Sequence, residues 1–401
     1  MLNSADVPPA ILALGTAVPP FSAAQSEVGE WMAASFAGRP ALQRLIRAIH
    51  TLSGIERRHS CTPEYLLPPA DSPFAPGQDE ANTLSTSGRM AIYTREAPRL
   101  GEAAARQALE EYADQTDSTY AAVAASITHL VVVSCTGFFA PGLDFVLAAR
   151  LGLPADVRRT LIGFMGCAAA FNGLRTATDT VGAHDDARVL VVCVELCSLH
   201  GQPSTARDSL VSASLFADGA AAALVGRPAA HDSDYFQLDE FITRMQPATE
   251  DQMIWQIGDR GFDLRLSPQV PEHIAQVAPA ALADLFGEHT PGFWAVHPGG
   301  RAIVDRLADL FALPADALAP TYAVLRDYGN MSSPTILFVL RRLRDHLRET
   351  GTSASRAARA PGVAMAFGPG LVVEMARLRY VPARDAAVAG APVAALDTAR
   401  P

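Results

Sequence analysis

The chain is poor in charge. Only 18% of its 401 residues are charged and 49% are hydrophobic, which excludes a disordered, self-repelling chain. It has no basic excess: 32 Lys and Arg stand against 42 Asp and Glu, a net charge of −10. A nucleic-acid binder would need a basic surface, so that class is excluded, though a local basic patch is not. Long apolar runs are also missing. The strongest, near Leu130–Val133 and Val189–Val194, have the length of strands, and no membrane span is expected. The opening residues Met1–Pro9 lack a basic stretch followed by an apolar one, so no secretory signal is read there. Cysteine is scarce and odd in number: Cys61, Cys135, Cys167, Cys193 and Cys197. Their spacing forms no paired metal knuckle, so no metal site is expected. Reduced thiols in a cytoplasm are.

What remains is a large apolar chain, long enough for two domains. Its centre is Leu161–Arg175, where an apolar start runs through Gly166-Cys167 into small, helix-forming residues. A strand turning sharply into a helix leaves unpaired N–H groups and the positive end of the dipole at the turn. A thiol placed there is a candidate nucleophile with a lowered pKa. A free cysteine is also a common core residue, and this stretch alone does not separate the two readings.

Strands are expected at 10–16, 127–134, 187–195, 214–226, 292–297 and 362–367. Helices are expected at 25–51, 89–113, 144–151, 271–286, 300–311 and 333–347. The 66–88 and 352–360 stretches read as loop and linker. Alternation of the two element types predicts an α/β fold. The boundaries are 1–230 for a first half, 231–381 for a second, and 382–401 for a loose tail.

The halves echo one another. Val131–Gly137 resembles Phe293–Gly299, so Cys135 and His297 correspond at an offset of 162 (297 − 135). Gly166-Cys167 resembles Gly329-Asn330 at an offset of 163 (330 − 167). Nearly equal offsets point to an internal duplication, which would bring Cys135, Cys167, His297 and Asn330 to equivalent strand ends around a pseudo-twofold axis. Cys167, His297 and Asn330 then read as nucleophile, base and amide donor. Singly, His297 and Asn330 would also pass as turn residues.

Several motifs carry a family resemblance: Gly166-Cys167, Trp294–Gly300, Tyr328-Gly329-Asn330-Met331-Ser332-Ser333, Phe367-Gly368-Pro369-Gly370, Leu215–Ala220 and Pro141-Gly142. Together the sequence resembles the type III polyketide synthases, the chalcone synthase-like family of the thiolase superfamily. The resemblance implies a homodimer with a layered αβαβα fold. It implies no metal and no bound cofactor. Cys167 would take an acyl-CoA starter, and His297 and Asn330 would stabilise the enolate left by decarboxylation of malonyl-CoA. Repeated Claisen condensation and cyclisation would follow. Phe216 matches an aromatic gate, and Ser332 falls among the substrate-binding positions.

The sequence also departs from the plant-type pattern. Leu264 stands at the second gate, Cys135, Cys197 and His200 stand at cavity positions, and Trp255 replaces a glycine. The basic residues that grip coenzyme A have no direct match. Arg44 and Arg47, three apart on one helix face, are the candidates. The departures resemble bacterial members, many of them like alkylpyrone or alkylresorcinol synthases with fatty acyl starters. The alternatives are a ketoacyl-acyl-carrier-protein synthase III-like single condensation and, in another class, a cysteine protease using the order Cys, His, Asn.

Overall fold

The computed structural model describes residues 7–63, 66–74, 83–201, 204–229, 233–350 and 360–383. The linker expected at 352–360 and the tail expected at 382–401 lie almost wholly outside the described residues. The strands are β1 (Ala10–Ala17), β2 (Phe21–Ala24), β3 (Arg57–Ser60), β4 (His129–Ser134), β5 (Arg158–Gly163), β6 (Val189–Leu196) and β7 (Asp218–Gly226). After them come β8 (Tyr235–Met245), β9 (Met253–Gly258), β10 (Gly261–Leu266), β11 (Trp294–Val296), β12 (Gly362–Gly368) and β13 (Val372–Val381). Helices α1 (Gln25–Ala34), α2 (Pro40–Leu52), α3 (Thr86–Gln115), α4 (Tyr120–Ala125), α5 (Leu143–Leu151), α6 (Ala169–Ala183) and α7 (Arg207–Leu215) belong to the first part of the chain. To the second belong α8 (Val270–Phe286), α9 (Arg301–Leu310), α10 (Ala319–Tyr328) and α11 (Thr335–Thr350). Among the described residues no helix is long and apolar enough to cross a membrane.

Nine strands join in the order β11-β12-β13-β8-β1-β7-β6-β4-β5. Outward from the β1–β8 junction the pairing repeats. On one side β1–β7 and β7–β6 are antiparallel and β6–β4 parallel. On the other, β8–β13 and β13–β12 are antiparallel and β12–β11 parallel. The expected duplication is therefore present in the topology, with β4 answering β11 and β6 answering β12. Only β5, at the edge, has no counterpart among the described strands.

Alternation along the strands separates the faces. Val131, Val133, Val189 and Val191 turn inward with Ala364, Ala366, Ala376 and Leu378, and all pack on α6 and α11. Leu130, Val132, Leu190 and Val192 turn outward onto α3 and α5. Val363, Met365, Val373 and Met375 turn outward onto α8 and α9. The result is five layers, αβαβα, with α6 and α11 in the middle. The last turns of α11 are charged, and its fully buried Arg344 pairs with Glu111 of α3 across the layers.

Close approach requires glycine at Gly15 of β1, where a Cβ would lie 2.0 Å from the Ala104 carbonyl oxygen of α3. Gly182, near the end of α6, has nothing within 4 Å of its Cβ position. Gly15→Ala should therefore destabilise by roughly 1–3 kcal/mol through overpacking. Gly182→Ala should be neutral or stabilise by up to about 1 kcal/mol. Urea unfolding of both variants checks the pair, and equal midpoints would refute the packing argument.

Candidate active site

The pseudo-twofold fixes where the chemistry-bearing groups sit. Cys135 follows the end of β4 and His297 the end of β11. Cys167 follows Gly166 in a tight turn ahead of α6, and Asn330 follows Gly329 ahead of α11. Both glycines have positive φ, 65° and 72°. A Cβ on Gly166 would also meet Pro369 Cδ at 2.2 Å, so the turn packs directly against the Phe367–Gly370 segment.

One cleft gathers nearly all the expected residues. Cys167, His297 and Asn330 line it with Phe216, Cys135, Cys197, Leu264, Trp255 and Ser332. Met253, Leu266, Ile303 and Phe367 complete a mostly apolar wall. Asn330 is held on three sides. Its N–H donates to Leu215 O at 2.9 Å, and its carbonyl accepts from Ala217 N at 2.9 Å. Its Oδ1 accepts from the Ser332 N–H at 2.8 Å, and its Nδ2 donates to Gly299 O at 3.2 Å. The same Nδ2 lies 4.0 Å from Cys167 Sγ, which leaves the amide facing the thiol. His297 is 1% exposed and lines the cleft, and among the described residues neither ring nitrogen has a hydrogen-bond partner.

Burial sets the electrostatics. It pushes the Cys167 thiol up to about 11, against lesser lowering by Ser332 and Asn330. The direction is opposite to the one the helix start alone would give, because the turn is buried and desolvation disfavours the thiolate. Burial also drives His297 down to about 3. Each ion alone is disfavoured. A proton passed from thiol to imidazole creates a pair of zero net charge, whose mutual attraction offsets part of that cost.

Sequence reasoning missed Glu195. It is fully buried at the end of β6, and its carboxylate accepts from the Cys135 N–H (2.9 Å), Thr136 Oγ1 (2.8 Å) and Ser333 Oγ (2.7 Å). Burial raises it to about 7 despite these donors. A glutamate closing the apolar run Val189–Val194 was the available signal. Cys135 is more than a wall residue, because its Sγ accepts from the Gly166 N–H at 3.1 Å and so ties β4 to the Gly166-Cys167 turn.

One expectation needs correction. His200 does not line the cleft. It lies behind the wall, stacked on Phe262 at 4.1 Å, because both its ring nitrogens are consumed by backbone groups. Arg44 and Arg47, the coenzyme A candidates, lie on the exposed side of α2 and are not among the residues lining the cleft. Arg47 is bound there to Glu30 at 2.8 Å across α1. Among the described residues no group of three or more His, Cys, Asp or Glu is arranged to hold a metal ion.

Comparison with known proteins agrees with this geometry. Residues 2–229 match the N-terminal domain of the chalcone and stilbene synthases, and residues 237–382 match the C-terminal domain. PKS-I from the brown alga Ectocarpus siliculosus superposes with a TM-score of 0.81 at 31% identity, over 94% of this chain and 99% of that one. The C-terminal type III polyketide synthase domain of Steely1, a type I/III hybrid from Dictyostelium, gives 0.81 at 26% identity over 93% and 99%.

If the imidazole accepts the thiol proton, its removal leaves burial alone to set the thiol. In His297→Gln the pH midpoint for alkylation of Cys167 by iodoacetamide should rise by at least about one unit over wild type. An unchanged midpoint, with alkylation mapped to Cys167 by peptide mass, would remove His297 as the thiol's partner.

Proposed function

The chain belongs to the chalcone and stilbene synthase family and is a type III polyketide synthase, and from that premise we propose how its residues divide the work. Cys167 takes the acyl group of a coenzyme A thioester. Malonyl-CoA then loses carbon dioxide, and the enolate oxygen is met by His297 and by the Asn330 amide. The carbanion attacks the Cys167 thioester, so a C–C bond forms, the C–S bond breaks and the thiolate returns for another round. Several rounds and a ring closure give an alkylpyrone or alkylresorcinol-type product. The observation that carries this reading is one apolar cleft in which a buried thiol, an unpartnered imidazole and a fixed amide meet. The apolar wall favours loss of a carboxylate, whose charge it solvates poorly. With this family established, the protease alternative has no support.

The starter in this reading is a medium or long fatty acyl-CoA, and the chain stands with bacterial members of the family. Leu264, Cys135 and Cys197 make an apolar, polarisable wall suited to a methylene chain. Trp255 acts against this by filling space, but its Nε1 donates to Cys135 O at 2.7 Å, which holds the indole to the wall. No bound cofactor takes part, and the coenzyme A thioesters are substrates. The working form is a cytoplasmic homodimer with reduced thiols. Two observations support the dimer: β5 is an edge strand, and Leu161 and Met165 beside it are 42% and 45% exposed.

His297→Ala and Asn330→Ala should each lose malonyl-CoA decarboxylation, whereas Cys167→Ala should lose acyl loading. Carbon dioxide release at wild-type rate from both of the first two would sink the division of labour.

Each buried CH₂ is worth about 0.8 kcal/mol, so kcat/KM should climb with starter length until the cleft is full. Cys197→Phe should shorten the preferred starter. It is a cleaner probe than Cys135→Phe, because Cys135 also holds the Gly166 turn. The comparison is kcat/KM for acetyl-, hexanoyl- and palmitoyl-CoA, with products sized by mass spectrometry. A wild type preferring acetyl- or malonyl-CoA would overturn the fatty-acyl reading, and products of a single condensation would overturn iteration.

A further inference from the structure

The wall of the cleft that carries Met253, Trp255, Leu264 and Leu266 is the β9–β10 hairpin. This hairpin is a separate two-stranded sheet and makes no ladder with the nine-stranded one. An isolated hairpin is marginal by itself, so its position depends on what ties it down.

Ties to the body run along the length of the hairpin: the Gly370 N–H donates to Met253 O at 3.0 Å, Trp255 Nε1 to Cys135 O at 2.7 Å and the Thr86 N–H to Asp259 O at 2.8 Å, and one further group joins them near the turn. Gly258 pairs with Gly261 at the turn, so Phe262, opposite Ile257, occupies a position whose N–H faces away from β9. That N–H would be a buried orphan without a partner. His200 supplies one: its Nδ1 accepts from Phe262 N at 3.0 Å. Its Nε2 then carries the proton and donates to Thr136 O at 2.7 Å, just past β4. The imidazole thus spans hairpin and main body with both nitrogens. Its face stacks on Phe262 at 4.1 Å, and Trp255 meets it edge-on at 5.4 Å.

His200 is itself held. The buried Arg89 of α3 donates to the carbonyl oxygens of Leu199 and of Gly201 (3.1 Å), on either side of it. At the turn, one residue from Phe262, Thr86 closes the circuit. Its Oγ1 donates to Gly258 O and accepts from Gly261 N at 2.8 Å. Nothing in this set touches the cleft's reacting groups.

We propose that His200 is a positioning residue that locks the β9–β10 hairpin against the body and thereby fixes the cleft volume that decides how far the polyketide grows. The inference rests on the type III polyketide synthase reading for its product readout, and on the hydrogen-bond geometry alone for its physical one. Freed from His200, the hairpin has lost its tie to Thr136 and keeps those of Thr86, Trp255 and Met253, so the wall should loosen near its turn without moving Cys167, His297 or Asn330.

The test uses the full chain and three variants. His200→Phe keeps a stacked ring and loses both hydrogen bonds. His200→Gln offers one acceptor and one donor and should rescue. Thr86→Val loosens the adjoining turn through a separate side chain and does not involve His200. Amide exchange at Phe262, followed by mass spectrometry, should speed up by at least about tenfold in His200→Phe and stay near wild type in His200→Gln. With one fixed acyl-CoA starter, His200→Phe and Thr86→Val should both change the distribution of product lengths. Malonyl-CoA decarboxylation should persist in all three. Unchanged exchange at Phe262 in His200→Phe, or the same altered products from His200→Gln and His200→Phe, would overturn the proposal. If His200→Phe does not fold, an unaltered product profile in Thr86→Val would overturn it. A wild type that extends no starter, with the exchange pattern as expected, would instead show that the reaction assignment has failed while the lock stands.

Discussion

Exclusion of water from the cleft is the constraint on which the rest depends. It raises the Cys167 thiol, lowers the His297 imidazole and raises the Glu195 carboxyl, and in all three the largest cause is burial. A site built this way cannot hold a single unpaired charge cheaply. It suits a reaction in which charge is made and lost in pairs: thiol proton to imidazole, carboxylate to neutral carbon dioxide, enolate to a fixed amide. Asn330 fits that task because its own orientation leaves no freedom. One face of its amide is taken by Ser332 and Gly299, and its backbone is bonded to the Phe216 segment on both sides. Such a donor has no reorganisation to undergo when charge develops.

Desolvation of this kind needs depth, and the duplication supplies it. Two equivalent half-sheets face each other across α6 and α11, so the groups at their corresponding ends meet under two layers of cover. The two halves then diverged in detail. Cys135 and His297 occupy matching places, yet one binds the Gly166 N–H and the other has no partner. The tight turns explain part of the local sequence. Gly166 meets Pro369, and a Cβ on Gly329 would come within 3.0 Å of Leu215 O, so neither turn tolerates a side chain.

Much of this was legible in the residues. The equal offsets foretold the twofold, and the small residues after Cys167 foretold a buried helix. The long apolar runs gave β4, β6 and β12 because strands covered on both faces carry no polar break. Other elements escaped. In β8 and β13 charged residues such as Asp239, Glu374, Arg377 and Arg379 interrupt the apolar pattern. Those charges are reconciled only in space, where Arg379 meets Asp239 at 2.9 Å and Glu374 meets Arg175 of α6. In β5 the outer residues are exposed, so the strand has no apolar signature. The helix-start argument for Cys167 leaves out desolvation, which pushes the thiol the other way, because burial depth is a tertiary quantity. His200 failed for the same reason: a position in the chain does not say which side of a wall the ring occupies.

The cleft is thus assembled from parts of unequal rigidity. The thiol, imidazole and amide ride on the ends of the nine-stranded sheet and its two central helices, whose cores are closed on every side. The facing wall rides on a hairpin attached by a handful of hydrogen bonds, from side chains and from the Gly370 and Thr86 backbone. Substitution on the hairpin can alter the room available to a growing chain at small cost to the fold, since Leu264 and Trp255 are only half-buried. Substitution at the sheet ends cannot, since Asn330, Ser333 and Glu195 share one buried polar network with the turns that hold them. Bond-making chemistry and product size are therefore separable in this architecture: the first is set by what the core fixes, the second by how firmly its loosest wall is held.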